Sequence, residues 1–151
     1  MSNEPTPSYL LGPVECEAFL SAFEDGSLPG TEWTHQAHIA MATVYLPRYG
    51  DSVLPHTRAA IRNYLLSRGK AVTNYHETLT IFWLAVVAEA LREQPALPQH
   101  ESVCRNCALF GAQSKLHERY YSFDVFNSAE ARARWSPPDL RRLAIPFPTG
   151  E

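Results

Sequence analysis

At 151 residues, 45% hydrophobic and 19% charged, the chain is long enough to bury the core of one soluble domain. Its formal charge of −3, with the basic residues scattered, gives no electrostatic footprint for nucleic acid or an anionic membrane. The start from Met1 to Ser8 lacks the basic and apolar regions of a signal peptide, so a cytoplasmic protein with reduced thiols is expected. The longest apolar run, Leu79 to Leu91, is too short to cross about 30 Å of hydrocarbon.

Periodicity predicts helices almost throughout. Residues 1–12 read as a flexible N-terminus. A first helix carries Pro13 in its opening turn, buries Cys16, Phe19, Leu20 and Phe23, and stops at Gly26, a residue suited to a left-handed end. After a loop over 27–31, Thr34 or Thr31 caps a second helix running to about Arg48. It is apolar on both sides, and only Gln36 and Thr43 mark a polar edge. A third helix begins near Leu54 and Pro55, buries Ile61, Tyr64 and Leu65, exposes Arg58 and Arg62, and ends at Gly69.

The fourth helix, from about Tyr75 to Arg92, has no charge over Ile81 to Ala88 and is expected to be central, with Asn74 at its cap position and Glu77 at the third position, where it can bond back to the Asn74 backbone or serve the site. Pro95 and Pro98 break the chain, Ser102 caps a fifth helix through Phe110, and another follows over 114–121. A short capped turn at 128–132 leads to an extended arm over 135–140. These elements predict an all-α fold: a compact single-domain bundle of five to six helices over residues 13–143, with an irregular C-terminal arm and a tail at 144–151.

His35 and His38 stand three residues apart, about 60° around a helix, so both imidazoles can converge on one ion. His76 on the facing helix supplies a third ligand. Glu77 supplies a carboxylate that acts as a ligand, as an acid or base, or as the partner that orients an imidazole. Three or four such ligands suit a divalent ion, zinc or non-haem iron, with one open position. The competing reading leaves each histidine hydrogen-bonded to a backbone carbonyl, and Glu77 as part of a helix cap.

Other residues weigh less. Cys104 and Cys107, one turn apart with no second pair to complete a zinc site, read as core cysteines. His56, His100 and His117 sit in polar contexts. Arg132 and Arg134, near Tyr120 and Tyr121, have the fork geometry to clamp an anionic substrate, and Thr80 lies nearer the His76 face than Thr78 does. The substrate-side candidates are therefore Thr80, Arg132 and Tyr121, and the catalytic candidates His76 and Glu77.

Trp33 to His38, Tyr45-Leu46, Tyr49-Gly50, Tyr75 to Thr80 with Trp83, Tyr120 to Ser122, Ser128 to Arg132 and Pro138 to Leu140 together resemble an uncharacterised family of small helical bacterial proteins. The resemblance covers roughly residues 19–143. It implies a compact helical domain and lends weight to His35, His38, His76 and Glu77 as one site, and it carries no activity. Two functions follow as expectations. One is a metal-dependent enzyme acting on a small-molecule substrate through a His/His/His/Glu centre between helices two and four. The other is a non-catalytic helical module that binds a ligand or partner, its histidines serving as hydrogen-bonded core groups.

Overall fold

A computed structural model describes residues 5–150, and these form an all-α domain with no strand. Five long helices, α1 (Pro13–Asp25), α2 (His35–Tyr49), α3 (Val53–Ser67), α4 (Glu77–Glu93) and α5 (Gln99–Phe110), are followed by a short α6 (Ala129–Ala133). Single 3-10 turns occupy Ser8–Leu10, Gly30–Glu32, Gly50–Ser52, Val72–Asn74 and Leu116–Arg119. No helix among the described residues is long and apolar enough to cross a membrane.

α2 and α4 are the most buried helices, because neither carries a wide polar face. α2 packs against α5, α4 and α3. Its small residues Ala37, Ala40 and Ala42 let those neighbours approach closely. A main core runs through Phe23, Tyr45, Leu54 and Ile81. A smaller one gathers Phe82, Val86, Tyr121, Val125 and Ala131 on the opposite side of α4.

Helix ends follow local chemistry where local partners exist. The Thr34 side chain caps α2 by accepting the Ala37 amide at 3.2 Å, and Ser128 caps α6 by accepting that of Ala131 at 3.1 Å. α1 ends at Gly26, whose φ of 83° is left-handed. α3 ends in a Schellman motif: the Gly69 amide donates to Leu66 and the Lys70 amide to Leu65, with Gly69 at φ 71°.

Three boundaries differ from the sequence reading. α4 is capped by His76, not by Asn74, because Asn74 closes the 3-10 turn before it and the His76 ring supplies the acceptor that the first turn needs. α5 begins directly after Pro98, so Ser102 lies inside the helix and is buried. The helix expected over 114–121 is reduced to the turn Leu116–Arg119. Beyond it the backbone is claimed by the C-terminal arm: the Leu140 amide donates to Tyr120, and the Asp139 carboxylate accepts from the Ser122 amide at 2.9 Å.

The packed body also extends past residues 13–143. Tyr9 is buried against Phe19, with ring centroids 4.7 Å apart, and Phe147 belongs to the main core. The arm itself is fastened to α4 by Thr78, whose hydroxyl donates to Arg134 O at 2.9 Å and accepts from the Ser136 amide at 3.0 Å. That arm helps fix the segment around residues 117–126, which closes one side of the site.

Candidate functional site

A pocket of about 370 Å³ opens where the first turns of α2 and α4 meet the middle of α3 and the segment from Ser114 to Phe126. His35, His38 and Thr80 line it, as do His76 and, from the closing segment, His117. Trp33, Trp83 and Phe126 supply aromatic wall, and Met41, Ile61 and Leu84 aliphatic wall. Among the described residues, no Asp, Glu, Lys or Arg side chain lines this space.

Each histidine of the expected centre spends one ring nitrogen on a backbone carbonyl. His35 Nε2 donates to Phe110 O at 3.1 Å, His38 Nδ1 to Thr34 O at 2.8 Å, and His76 Nε2 to Val125 O at 2.9 Å. A carbonyl oxygen can only accept, so these contacts fix the tautomers. His76 is fully committed, since its Nδ1 accepts the Leu79 amide at 3.1 Å. His35 Nδ1 and His38 Nε2 are left as lone-pair acceptors.

The imidazoles are neutral at physiological pH. Burial pushes the His38 pKa down to about 4, outweighing the Thr34 hydrogen bond that favours the cation. Burial likewise lowers the pKa of His35 and of His76. Aromatic packing holds the rings in place. His38 lies over Trp33 with centroids 3.9 Å apart, and His35 meets the Trp83 ring edge-on at 4.6 Å.

Glu77 belongs to a different network. Its carboxylate takes both arms of Arg58, at 3.1 and 2.5 Å, and accepts the Tyr75 hydroxyl at 2.6 Å. The Arg58 guanidinium also stands in a mutually supporting pair, which raises its own pKa. Tyr75 is buried beside this carboxylate, and its pKa is raised in turn. The pair pins α3 to the start of α4, and neither residue is in the pocket lining, although Tyr75, which donates to Glu77, is.

The other candidates separate in space. Thr80 lines the pocket, but its hydroxyl donates to His76 O at 2.8 Å. Tyr121 sits in the smaller core and donates to Ser136 O at 2.7 Å. Arg132 donates to Asn74 O and Phe126 O, both at 3.1 Å, and lies along an outer surface groove. Cys107 is buried, with its thiol pushed up to about 12 by burial, and no disulfide joins it to Cys104. Among the described residues, no three His, Cys, Asp or Glu side chains are grouped so as to hold a metal ion.

Two polar groups enter the site without warning from the sequence. Thr57 Oγ1, on α3, and His117 Nδ1, on the closing turn, are both buried and make no hydrogen bond, and both residues line the pocket. Thr57 lies one helical turn before Ile61 on the inward stripe of α3, which is the one signal that marks it. Nothing local marks His117.

No family model, no curated protein and no solved structure matches the chain.

Proposed function

We propose that the chain is a small-molecule-binding helical module whose ligand occupies the pocket between α2, α3 and α4. The single observation that carries this reading is the pair of buried, unpartnered polar atoms, Thr57 Oγ1 and His117 Nδ1, in the lining of one aromatic pocket. A buried polar group without a partner costs roughly 1–3 kcal/mol, and a ligand that satisfies it recovers that cost on binding. The pocket volume falls in the range typical of ligand sites. The histidines have a positioning role in this reading: their carbonyl bonds tie α2 to the end of α5 and α4 to the closing segment.

A divalent ion at His35, His38 and His76 makes a different demand. His76 would have to give up a carbonyl or its cap to expose a lone pair, and Glu77 would have to leave Arg58. One set of measurements separates the two. Wild-type protein is screened by ligand-observed NMR against a mixture of small aromatic and aliphatic compounds, alongside Ala42→Leu and Ala42→Phe, which add bulk to the pocket floor. Binding by the wild type that weakens in both variants, with their circular dichroism and melting temperature close to wild type, supports the module. Undiminished binding in variants that remain folded overturns it. One equivalent of zinc or iron in the purified protein, with a melting temperature that falls on adding chelator, favours the metal centre instead.

A further inference from the structure

We infer that the pocket selects an uncharged aromatic molecule bearing a hydroxyl group, with the hydroxyl held between Thr57 Oγ1 and an imidazole nitrogen. The inference rests on the binding reading above and names the class of ligand.

Charge is the first discriminator. Among the described residues, the lining holds no cationic or anionic side chain. Arg58 and Glu77 neutralise one another outside it, and Arg62, over the Tyr75 ring, and Arg132, bonded to the Asn74 and Phe126 carbonyls, stand behind lining residues and not in the lining. A carboxylate or ammonium group entering this space would lose its hydration and find no countercharge in direct contact, a cost of several kcal/mol per ion. The amino-terminal ends of α2 and α4 do open here, but Thr34 and His76 already cap their Ala37 and Leu79 amides. The lowered pKa values of His35, His38 and His76 agree with a site that excludes charge.

Hydrogen-bond polarity is the second. His35 and His38 each donate one proton to a carbonyl and retain one lone pair, so they accept from a ligand and cannot donate to it. Thr57 Oγ1 can do both. A ligand hydroxyl meets the complementary need: it donates to an imidazole and accepts from Thr57. An ether or ketone would leave the imidazole lone pairs unmatched. Shape is the third, since Trp33, Trp83 and Phe126 bound the space and favour a flat π-system against their faces and edges.

A matched set of naphthalene probes tests this by calorimetry and by quenching of tryptophan fluorescence at pH 7.5. The expected order is 2-naphthol first, naphthalene about tenfold weaker as one buried hydrogen bond predicts, and 2-naphthoate and 2-naphthylmethylammonium weaker still. Thr57→Val keeps shape and removes only an unpartnered hydroxyl, so it folds with unchanged or slightly higher stability. It binds naphthalene as the wild type does and loses most of the preference for 2-naphthol. His117→Phe serves as a second variant, and it also narrows that preference. Equal affinity for 2-naphthol and naphthalene, or tightest binding of either charged probe, overturns the inference while leaving the binding reading in place. Failure of all four probes overturns this inference alone if the mixture screen finds a ligand that Ala42→Leu weakens, and both readings if it finds none.

Discussion

His38 Nδ1 lies 2.8 Å from the carbonyl oxygen of Thr34, four residues earlier in the same turn, and donates its proton there. The bond turns the ring so that Nε2 is its free face, and burial, which outweighs that bond, keeps it neutral. Its pKa of about 4, against 6.5 for an unperturbed histidine, has a consequence for stability. As pH falls below 6.5 the unfolded chain takes up a proton that the folded chain refuses, so stability drops through the window from about 6.5 to about 4 and levels below it. His35 and His76 act in the same direction. Urea unfolding at pH 7 and at pH 5 should show a lower midpoint at pH 5, and the gap should shrink in His38→Gln. An unchanged gap in that variant would assign the acid sensitivity to other groups.

Glu77 and Arg58 predict a second outcome. Their side chains are 12% and 28% exposed, and the contact is two-pronged. Removing the carboxylate strands the guanidinium and leaves the Tyr75 hydroxyl without its acceptor. Glu77→Ala should cost about 2–3 kcal/mol in urea unfolding, and Arg58→Ala a similar amount. The double variant should cost less than the sum, because the interaction can be lost only once. Strict additivity would show that the pair contributes no coupling. Metal content should not respond to Glu77→Ala.

The left-handed glycines that end α1 and α3 should behave differently. A Cβ at Gly69 meets nothing within 4 Å, so Gly69→Ala carries only the backbone strain of its φ of 71°, about 1 kcal/mol. A Cβ at Gly26 would press into the Ser67 side chain at the end of α3, on top of the strain of a φ of 83°. Gly26→Ala should therefore be clearly the more destabilising, and Ser67→Gly in the same chain should restore part of the loss. Equal midpoints for the two alanine variants would count against this close approach.

Phe147 tests whether the chain end is structural. It is 7% exposed and lies in the main core. Truncating such a ring should cost about 3 kcal/mol, so Phe147→Ala should lower the melting temperature by several degrees. An exposed Phe123→Ala, its ring 46% accessible, should shift it far less. Similar shifts for both would mean that the end contributes little packing.

The sequence by itself determined the elements whose causes lie within one or two helical turns. Apolar spacing along α1 to α4 is local, as are the Thr34 and Ser128 caps and the left-handed stops at Gly26 and Gly69, and all of these were legible from residue order. His35, His38 and His76 could also be placed near one another, since each opens a helix too apolar to face solvent. Tertiary structure decided what those rings do. The carbonyls that engage His35 and His76 come from 75 and 49 residues away, at Phe110 and Val125, and the partner that takes Glu77 comes from α3. The meeting of the Thr57 hydroxyl and the His117 ring in one pocket lining is likewise a property of how α3 and the closing turn pack. A hydrogen bond depends on position to within tenths of an ångström, whereas helical periodicity fixes only a face. Residue spacing could therefore name the histidines, and only the packed structure could show which of their nitrogens remain free.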